Sequence, residues 1–358
     1  MRKTILAILM VLVFVLSTAC ATTATEQVAS DDATSVSAES KTESQEAGSE
    51  AKKISIGWVE MTLSNPYFKE LVDAGQRFAE KEGWDFYYSD SQLDSAKELK
   101  AIEDYITKGV DMIVLDCVDP LGAVASVKAA INAGVPIIAV DSSVAPGTPV
   151  ITTVQSANKE NGIKCGNWLA NKMNGAQITA VMLSGTKGNP VGQTRRDGLF
   201  AGIIQGQLKV LTGRELSDDE AWEEALKFED ELTSTGKASY PEANFEVLGQ
   251  NWGDWNAEGG LNAMEDLLTA HPNINVLLTE NDDMAVGAIK AIEKRNLMDK
   301  ITICAAADGQ KEAYALIKEG KYGVTGENSP TKVATKCMEI VKEILVGGKD
   351  PESYPEVI

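Results

Sequence analysis

A series of short stretches in this chain joins carboxylates and amides to aromatic rings, and each follows an apolar run. They are Met61-Thr62-Leu63-Ser64-Asn65-Pro66-Tyr67-Phe68, Asp116-Cys117-Val118-Asp119, Asp141-Ser142, Ser184-Gly185 running on to Arg195, Asn251-Trp252-Gly253-Asp254-Trp255, Glu280-Asn281-Asp282 and Asp308-Gly309. Carboxylates accept hydrogen bonds, amides donate and accept, and an aromatic face covers the apolar side of a ring. The set suits a neutral polyhydroxy ligand such as a sugar or cyclic polyol. The carboxylates are scattered among the stretches instead of clustered at metal-ligand spacing, so binding is expected to need neither metal nor cofactor.

Other chemistries fall away. The net charge of -20 over 358 residues argues against nucleic acid, which needs a basic patch to displace counterions. The single histidine, His271, precedes Pro272 and reads as a structural turn residue. The cysteines form no C-x-x-C pair; Cys304 and Cys337 read as buried thiols, and Cys117 and Cys165 have no evident mate. The chain contains no G-x-x-x-x-G-K-[ST], G-x-S-x-G or H-E-x-x-H, which removes the commonest motif-bearing ATPases, hydrolases and metalloproteases.

The elements that must position these residues alternate from residue 53 onward. Strands are expected over 54–59, 86–89, 112–115 and 136–140, with helices over 66–81, 95–107 and 124–133 between them. A second series begins near 158. It has strands over 178–183, 245–248, 276–278 and 301–304, and helices over 158–173, from about 191, 257–269 and 284–295. A final helix spans 330–346. Such alternation predicts parallel sheets flanked by helices, in two similar lobes. Ligands of such sheets bind outside the carboxyl ends of the strands, where the polar stretches fall. The segment at about 211–240 stands apart. Ser217-Asp218-Asp219-Glu220 is a capping box that opens an acidic helix with sparse apolar positions, Trp222, Leu226 and Leu232. It reads as a solvated insert.

The first 52 residues have their own logic. Arg2 and Lys3 precede an unbroken apolar run over 5–16, and Ser17-Thr18-Ala19-Cys20 follows. This is a secretory signal, too short for a normal transmembrane helix. It resembles the bacterial lipoprotein signal, in which the cysteine is lipidated and becomes the mature N-terminus; here Ser17 stands where that family prefers leucine. Residues 21–52 are poor in aromatic and large aliphatic residues and read as a disordered acidic tether with a reach of roughly 30 Å.

The resemblance becomes specific when the stretches are taken in order. Ser64-Asn65-Pro66-Tyr67-Phe68 opening a helix, the Asp141 turn, Arg195-x-x-Gly198, Glu280-Asn281-Asp282-x-x-Ala285-x-Gly287-Ala288 and Ala307-Asp308-Gly309 resemble the ribose- and galactose-binding group of ABC-importer solute-binding proteins. That resemblance implies two Rossmann-like lobes joined by a hinge that the chain crosses several times. Lobe one would be 53–156 plus 329–358, and lobe two 157–328, with a final strand cut short or absent. It implies that Asn65, Tyr67, Phe68 and Asp141 of lobe one meet the ligand, together with Arg195, Trp255, Asn281, Asp308 and Asn328 of lobe two and the hinge. Met61, Ser142 and Trp255 depart from the ribose binders, which carry a small polar residue, an arginine and a phenylalanine there. A larger aromatic floor favours a six-membered ring or cyclic polyol.

Plainer roles are open to several of these residues. Phe68 continues an apolar helical stripe and could be core alone. Of Trp252 and Trp255 one is expected to be packing, and of Arg195 and Arg196 only one to point inward. Asp141 and Asp308 could be helix caps, because a helix is expected after each. The expected protein is a monomeric, lipid-anchored extracytoplasmic binding protein that delivers a sugar or polyol to ABC permease subunits. The alternatives are a sensor that presents ligand to a chemoreceptor or histidine kinase and, more remotely, a glycosidase using Asp141 and Asp308.

Overall fold

Short apolar runs become fully buried central strands here because helices cover both faces of the sheets. In a computed structural model that describes residues 53–358, the first sheet contains β1 (Ser55–Glu60), β2 (Asp85–Asp90), β3 (Met112–Leu115), β4 (Ile137–Val140) and β5 (Thr153–Val154). Their order is β2-β1-β3-β4-β5 and every pairing is parallel. Helices α1 (Pro66–Glu82), α2 (Ser95–Lys108) and α3 (Ala123–Asn132) make the crossovers. The chain then runs into α4 (Asn158–Met173) and a second sheet of β6 (Ile178–Ser184), β7 (Ala238–Tyr240), β8 (Phe245–Trp252), β9 (Val276–Thr279) and β10 (Thr302–Ala305), ordered β10-β9-β6-β8-β7. Its other helices are α5 (Pro190–Thr212), α6 (Asp218–Thr235), α7 (Ala257–Ala270), α8 (Asp282–Lys294) and α9 (Lys311–Lys318). After Asn328 the chain returns to the first sheet unit through α10 (Pro330–Leu345), where Thr331 Oγ1 donates to Glu70 of α1 at 2.8 Å.

The two expected series are therefore two helix-flanked sheets. Three elements escaped the sequence pattern. Strands β5 and β7 are only 2 and 3 residues long, too short for a period to register. β7 also runs antiparallel to β8, an edge that strand–helix alternation does not foresee. Helix α9 has a single buried residue, Ala313, and its pattern is correspondingly faint. At the C-terminus Val357 forms a single parallel bridge with Thr153, closed by Thr153 N–H to Glu356 O at 2.8 Å and Ile358 N–H to Thr153 O at 2.9 Å.

Helices α4 and α5 pack backbone to backbone. A Cβ on Gly162 would fall 2.6 Å from the Arg195 carbonyl oxygen, and one on Gly198 would fall 2.7 Å from that of Lys159. The turn that carries Arg195 and Arg196 is clamped by this contact.

The segment over 211–240 corrects the sequence reading. The capping box is present, with Ser217 and Glu220 exchanging hydrogen bonds. The helix is not a solvated appendage, however. Ala221, Ala225, Phe228 and Leu232 form a buried stripe at helical spacing, while Leu226, expected on it, is 39% exposed. The stripe was missed because half of it is alanine, which sparse large-residue counting ignores. Phe228 stacks on Phe245 with centroids 4.7 Å apart and meets Phe200 edge-on at 4.9 Å. Removing a buried aromatic side chain costs about 3–5 kcal/mol. Phe228→Ala is therefore expected to lose that much stability in urea denaturation, and Leu226→Ala less than about 0.5 kcal/mol, the range of ordinary surface changes. Equal losses would return α6 to the status of a loose insert.

Candidate functional site

Every polar stretch singled out above lies at or just beyond a strand's carboxyl end, and residues from most of them meet in one cavity. It is lined by Met61, Asn65, Tyr67 and Phe68 after β1, Asp141 and Ser142 after β4, Asn189, Val191 and Arg195 after β6, Trp255 after β8, Asn281 after β9 and Asp308 after β10. Asn328, where the chain passes back to the first sheet, joins through hydrogen bonds. Tyr67 Oη donates to Asp141 Oδ1 at 2.6 Å and lies 3.0 Å from Asn328 Oδ1, and Asn328 Nδ2 lies 3.4 Å from Asp308 Oδ1. Ser156, on the outgoing crossing, also donates to Asn328 Oδ1. All the residues expected at the site from the sequence are thus brought together.

Local structure fixes the amides. Asn65, Asn189 and Asn281 are the N-caps of α1, α5 and α8, and each side-chain oxygen accepts a backbone N–H of its own helix, from Tyr67 at 2.7 Å, Gly192 at 3.0 Å and Met284 at 3.1 Å. Their NH2 groups are left to face across the cavity. Asn189 was missed in the sequence, yet a signal existed: Asn189-Pro190 repeats the Asn65-Pro66 helix opening. Ser142 and Met61 were noted only as departures, and both line the cavity.

The arginines divide as expected. Arg195 enters the cavity, its Nε on Asn158 Oδ1 at 2.9 Å and its Nη1 3.3 Å from Asp308 Oδ1, with its guanidinium 5.8 Å from the Trp255 ring centroid. Arg196 turns away to buried carboxylates. Trp255 forms a wall, while Trp252 ends β8 with the Arg196 guanidinium 6.0 Å from its ring. Phe68 lines the cavity as well as packing in the core. The capping alternative fails for Asp141, since loop and then β5 follow it, not a helix. Asp308 precedes α9, but the cap position of that helix is Gln310. Asp141 and Trp255 both hold left-handed backbone, with φ of 57° and 61°. For a bulky residue this is a strained conformation of the kind that collects at binding sites.

The site is short of positive charge. Burial raises the Asp308 carboxyl to about 7, with Arg195 opposing. Burial likewise raises Asp141, again against Arg195. Behind Asp141, Glu60 and Asp116 are fully buried neighbours: burial raises both, Asp116 adds to the rise of Glu60, and Asp141 adds to that of Asp116. Tyr67 is pushed up by burial and by Asp141, so its hydroxyl remains a donor. Among the described residues no group of three or more histidine, cysteine, aspartate or glutamate side chains is arranged to hold a metal ion.

These shifts set a pH dependence. A carboxyl whose folded value lies above its unfolded one binds its proton more tightly when folded. Its stabilising contribution is complete below the unfolded value, 3.8 for Asp308, and is lost as pH rises through about 7. Surface carboxylates lowered by partners, such as Glu70 with Arg77, act in the opposite sense, but only in the acid range below their ordinary value of 4.5. The free protein is therefore expected to melt at a higher temperature at pH 5 than at pH 8, with a shallower slope in Asp308→Asn. A flat or rising profile between these pH values would contradict the charge assignment.

Known proteins share this architecture. The family described as periplasmic binding protein domain matches residues 56–350. The chain is 28% identical over 303 residues to the ribose import binding protein RbsB of Salmonella typhimurium, an alignment covering 85% of this chain and 88% of that protein. It is 29% identical over 299 residues to the ribose import binding protein RbsB of Bacillus subtilis, covering 83% and 84%. Among solved structures, an ABC transporter solute binding protein from Mycobacterium smegmatis with bound glycerol matches with a TM-score of 0.69 at 26% identity, covering 86% of this chain and 91% of that one. A match that takes in both sheets and every cavity residue places the chain in one family: it belongs to the periplasmic binding protein domain family.

Proposed function

We propose that this protein is an extracytoplasmic substrate-binding lipoprotein of an ABC transporter that captures a sugar or polyol between two closing lobes and delivers it to permease subunits. The observation that carries the reading is the cavity itself. Residues after β1 and β4 face residues after β6, β8, β9 and β10 across it, and amides, carboxylates, one guanidinium and aromatic rings supply both hydrogen-bond senses and a ring-covering wall. The names of its relatives as sugar-binding proteins of importers point the same way. Lobe one comprises 53–156 plus 329–358 and lobe two 157–328, with the hinge at the crossings near Ser156 and Asn328. A ligand favours closure only through contacts that the open form lacks, so residues of both lobes must take part.

In this reading Asp141 and Asp308 accept ligand hydroxyls from opposite lobes. Arg195, Asn65, Asn281 and Asn328 donate, and Tyr67, Phe68 and Trp255 cover the ring. Transport is preferred to sensing and to glycoside hydrolysis because its relatives are named as import and solute-binding proteins. Cys20 carries the lipid anchor and residues 21–52 the tether; both lie outside the described residues. Two acyl chains or more give stable anchoring.

A thermal-shift screen of monosaccharides and polyols, followed by calorimetry, identifies the ligand through its stabilisation of the folded form. Loss of a charged acceptor to a buried hydroxyl costs about 1.5–3 kcal/mol. Asp308→Ala and Asp141→Asn are thus each expected to weaken binding of the best compound roughly 10- to 150-fold. Asparagine is chosen at 141 because it tolerates the left-handed backbone there. Unaltered affinity in both variants would remove the cavity as the binding site. Cys20→Ala is expected to move the protein from the membrane to the soluble fraction; unchanged membrane association would place the anchor elsewhere.

A further inference from the structure

Helix α6 reaches the cavity wall through a chain of buried charges. Glu229, 3% exposed, holds Arg196 with a two-pronged pair: Nε to Oε2 at 2.9 Å and Nη2 to Oε1 at 2.5 Å. The remaining arm of Arg196, Nη1, meets Glu280 Oε1 at 2.5 Å. Glu280 is fully buried, and its other oxygen, Oε2, accepts the Gly185 N–H at 2.9 Å. Its backbone carbonyl lies 3.4 Å from Arg195 Nη1, and the next residue is Asn281. Glu280 thus touches both arginines and leads directly into a cavity amide.

The chain ends on Trp255. The indole lies so close to Gly185 that a Cβ there would fall 2.0 Å from Trp255 Cε2. A Cβ on Gly192 would fall 2.4 Å from Glu280 Oε2 and 2.9 Å from Trp255 Cη2. The Gly185 carbonyl accepts the Asp254 N–H at 3.2 Å, and Trp255 Nε1 donates to Thr186 Oγ1 at 3.1 Å. The indole therefore rests on backbone whose position Glu280 sets, and Glu280 is set by Arg196.

Burial makes this arrangement sensitive. A guanidinium buried with two carboxylates is balanced only while both are present, and removal of one leaves the remaining groups to rearrange. Arginine suits the task because its planar fork engages both carboxylates at once, which an ammonium cannot do. Nearby, burial raises the Asp197 carboxyl to about 8, and Glu229 adds to the rise while Arg196 opposes it.

We propose that Glu229 of α6 is a positioning residue for the ligand cavity: through Arg196 and Glu280 it fixes the Gly185 backbone and, on it, the Trp255 wall. The inference rests on the reading of that cavity as the sugar or polyol site, and it gives the inserted helix a part in recognition beyond its packing. It assigns Glu229 no contact with ligand.

The test uses the full chain labelled with 5-fluorotryptophan, with the Trp255 resonance assigned by Trp255→Phe. Glu229→Gln is expected to shift the Trp255 fluorine resonance by more than its line width and to leave that of Trp58, in the other sheet unit, unmoved. Glu229→Asp, which keeps the charge, is expected to bring Trp255 back toward its original position. A folded Glu229→Gln protein with an unmoved Trp255 resonance, whatever its melting temperature, would overturn the proposal and leave Glu229 a packing residue. Should Glu229→Gln not fold, Arg196→Lys carries the same test, because lysine keeps the charge but cannot span both carboxylates. No ligand is present in these spectra, so a cavity that binds no sugar in the thermal-shift screen would sink the functional reading without touching this outcome.

Discussion

One backbone carbonyl is held from both sides of the cavity. Trp255 O accepts from Asn65 Nδ2 at 2.5 Å and from Asn281 Nδ2 at 3.2 Å, the first after β1 and the second after β9. Neither amide is free to turn round. Each is the N-cap of a helix and commits its oxygen to that helix, so its NH2 group must face the other way. Helix capping, a local requirement of α1 and α8, thereby decides the direction of hydrogen bonding across the cavity. The parallel sheets bring the caps there because every right-handed crossover starts its helix just beyond a strand's carboxyl end.

A second chain of polar groups crosses where the polypeptide passes between the two sheets, from Asp141 through Tyr67, Asn328 and Asp308 to Arg195 and Asn158. It contains two carboxylates and a single guanidinium, and more carboxylates lie behind Asp141. Taking such charges out of water is costly unless partners replace the lost solvent. The raised carboxyl groups are the sign of that cost. In the function proposed above, ligand hydroxyls donating into Asp141 and Asp308 would offset it. The left-handed backbone at Asp141 and Trp255 belongs to the same account: local strain is kept where the surrounding fold over-determines the position.

The inserted helix illustrates how packing and buried charge become linked. Phe228 and Leu232 set α6 into the core of the second sheet unit, and Glu229, one residue from Phe228, is buried with them. A buried carboxylate needs a cation, and Arg196 supplies it. Because Arg196 also holds Glu280, the packing of an edge element is coupled to residues that line the cavity.

Much of this was legible in the chain. Residues such as Met112–Leu115 and Ile137–Val140 are continuous apolar runs of strand length, rich in isoleucine and valine, as strands covered on both faces are. Prolines such as Pro66 and the Ser217-Asp218-Asp219-Glu220 capping box announced helix starts, whereas the close approach of α5 to α4 emerged only from the fold. Since ligands of parallel sheets lie beyond strand ends, the stretches holding Asp141, Trp255, Asn281 and Asp308 could be nominated from order, and the resemblance to sugar-binding proteins picked out the individual residues. What the sequence could not carry was anything defined by pairing between distant segments. Strands β5 and β7 exist through their ladder partners, not through a period of their own. The stripe on α6 is half alanine, and only the facing Phe200 and Phe245 make it apolar ground. The separate tasks of Arg195 and Arg196 were settled by Asp308 on one side and by Glu229 and Glu280 on the other, residues 33 to 113 positions away. A local pattern fixes backbone period and caps; which buried charge finds which partner is decided by three-dimensional packing, because the energy of a buried charge depends on neighbours that sequence distance does not encode.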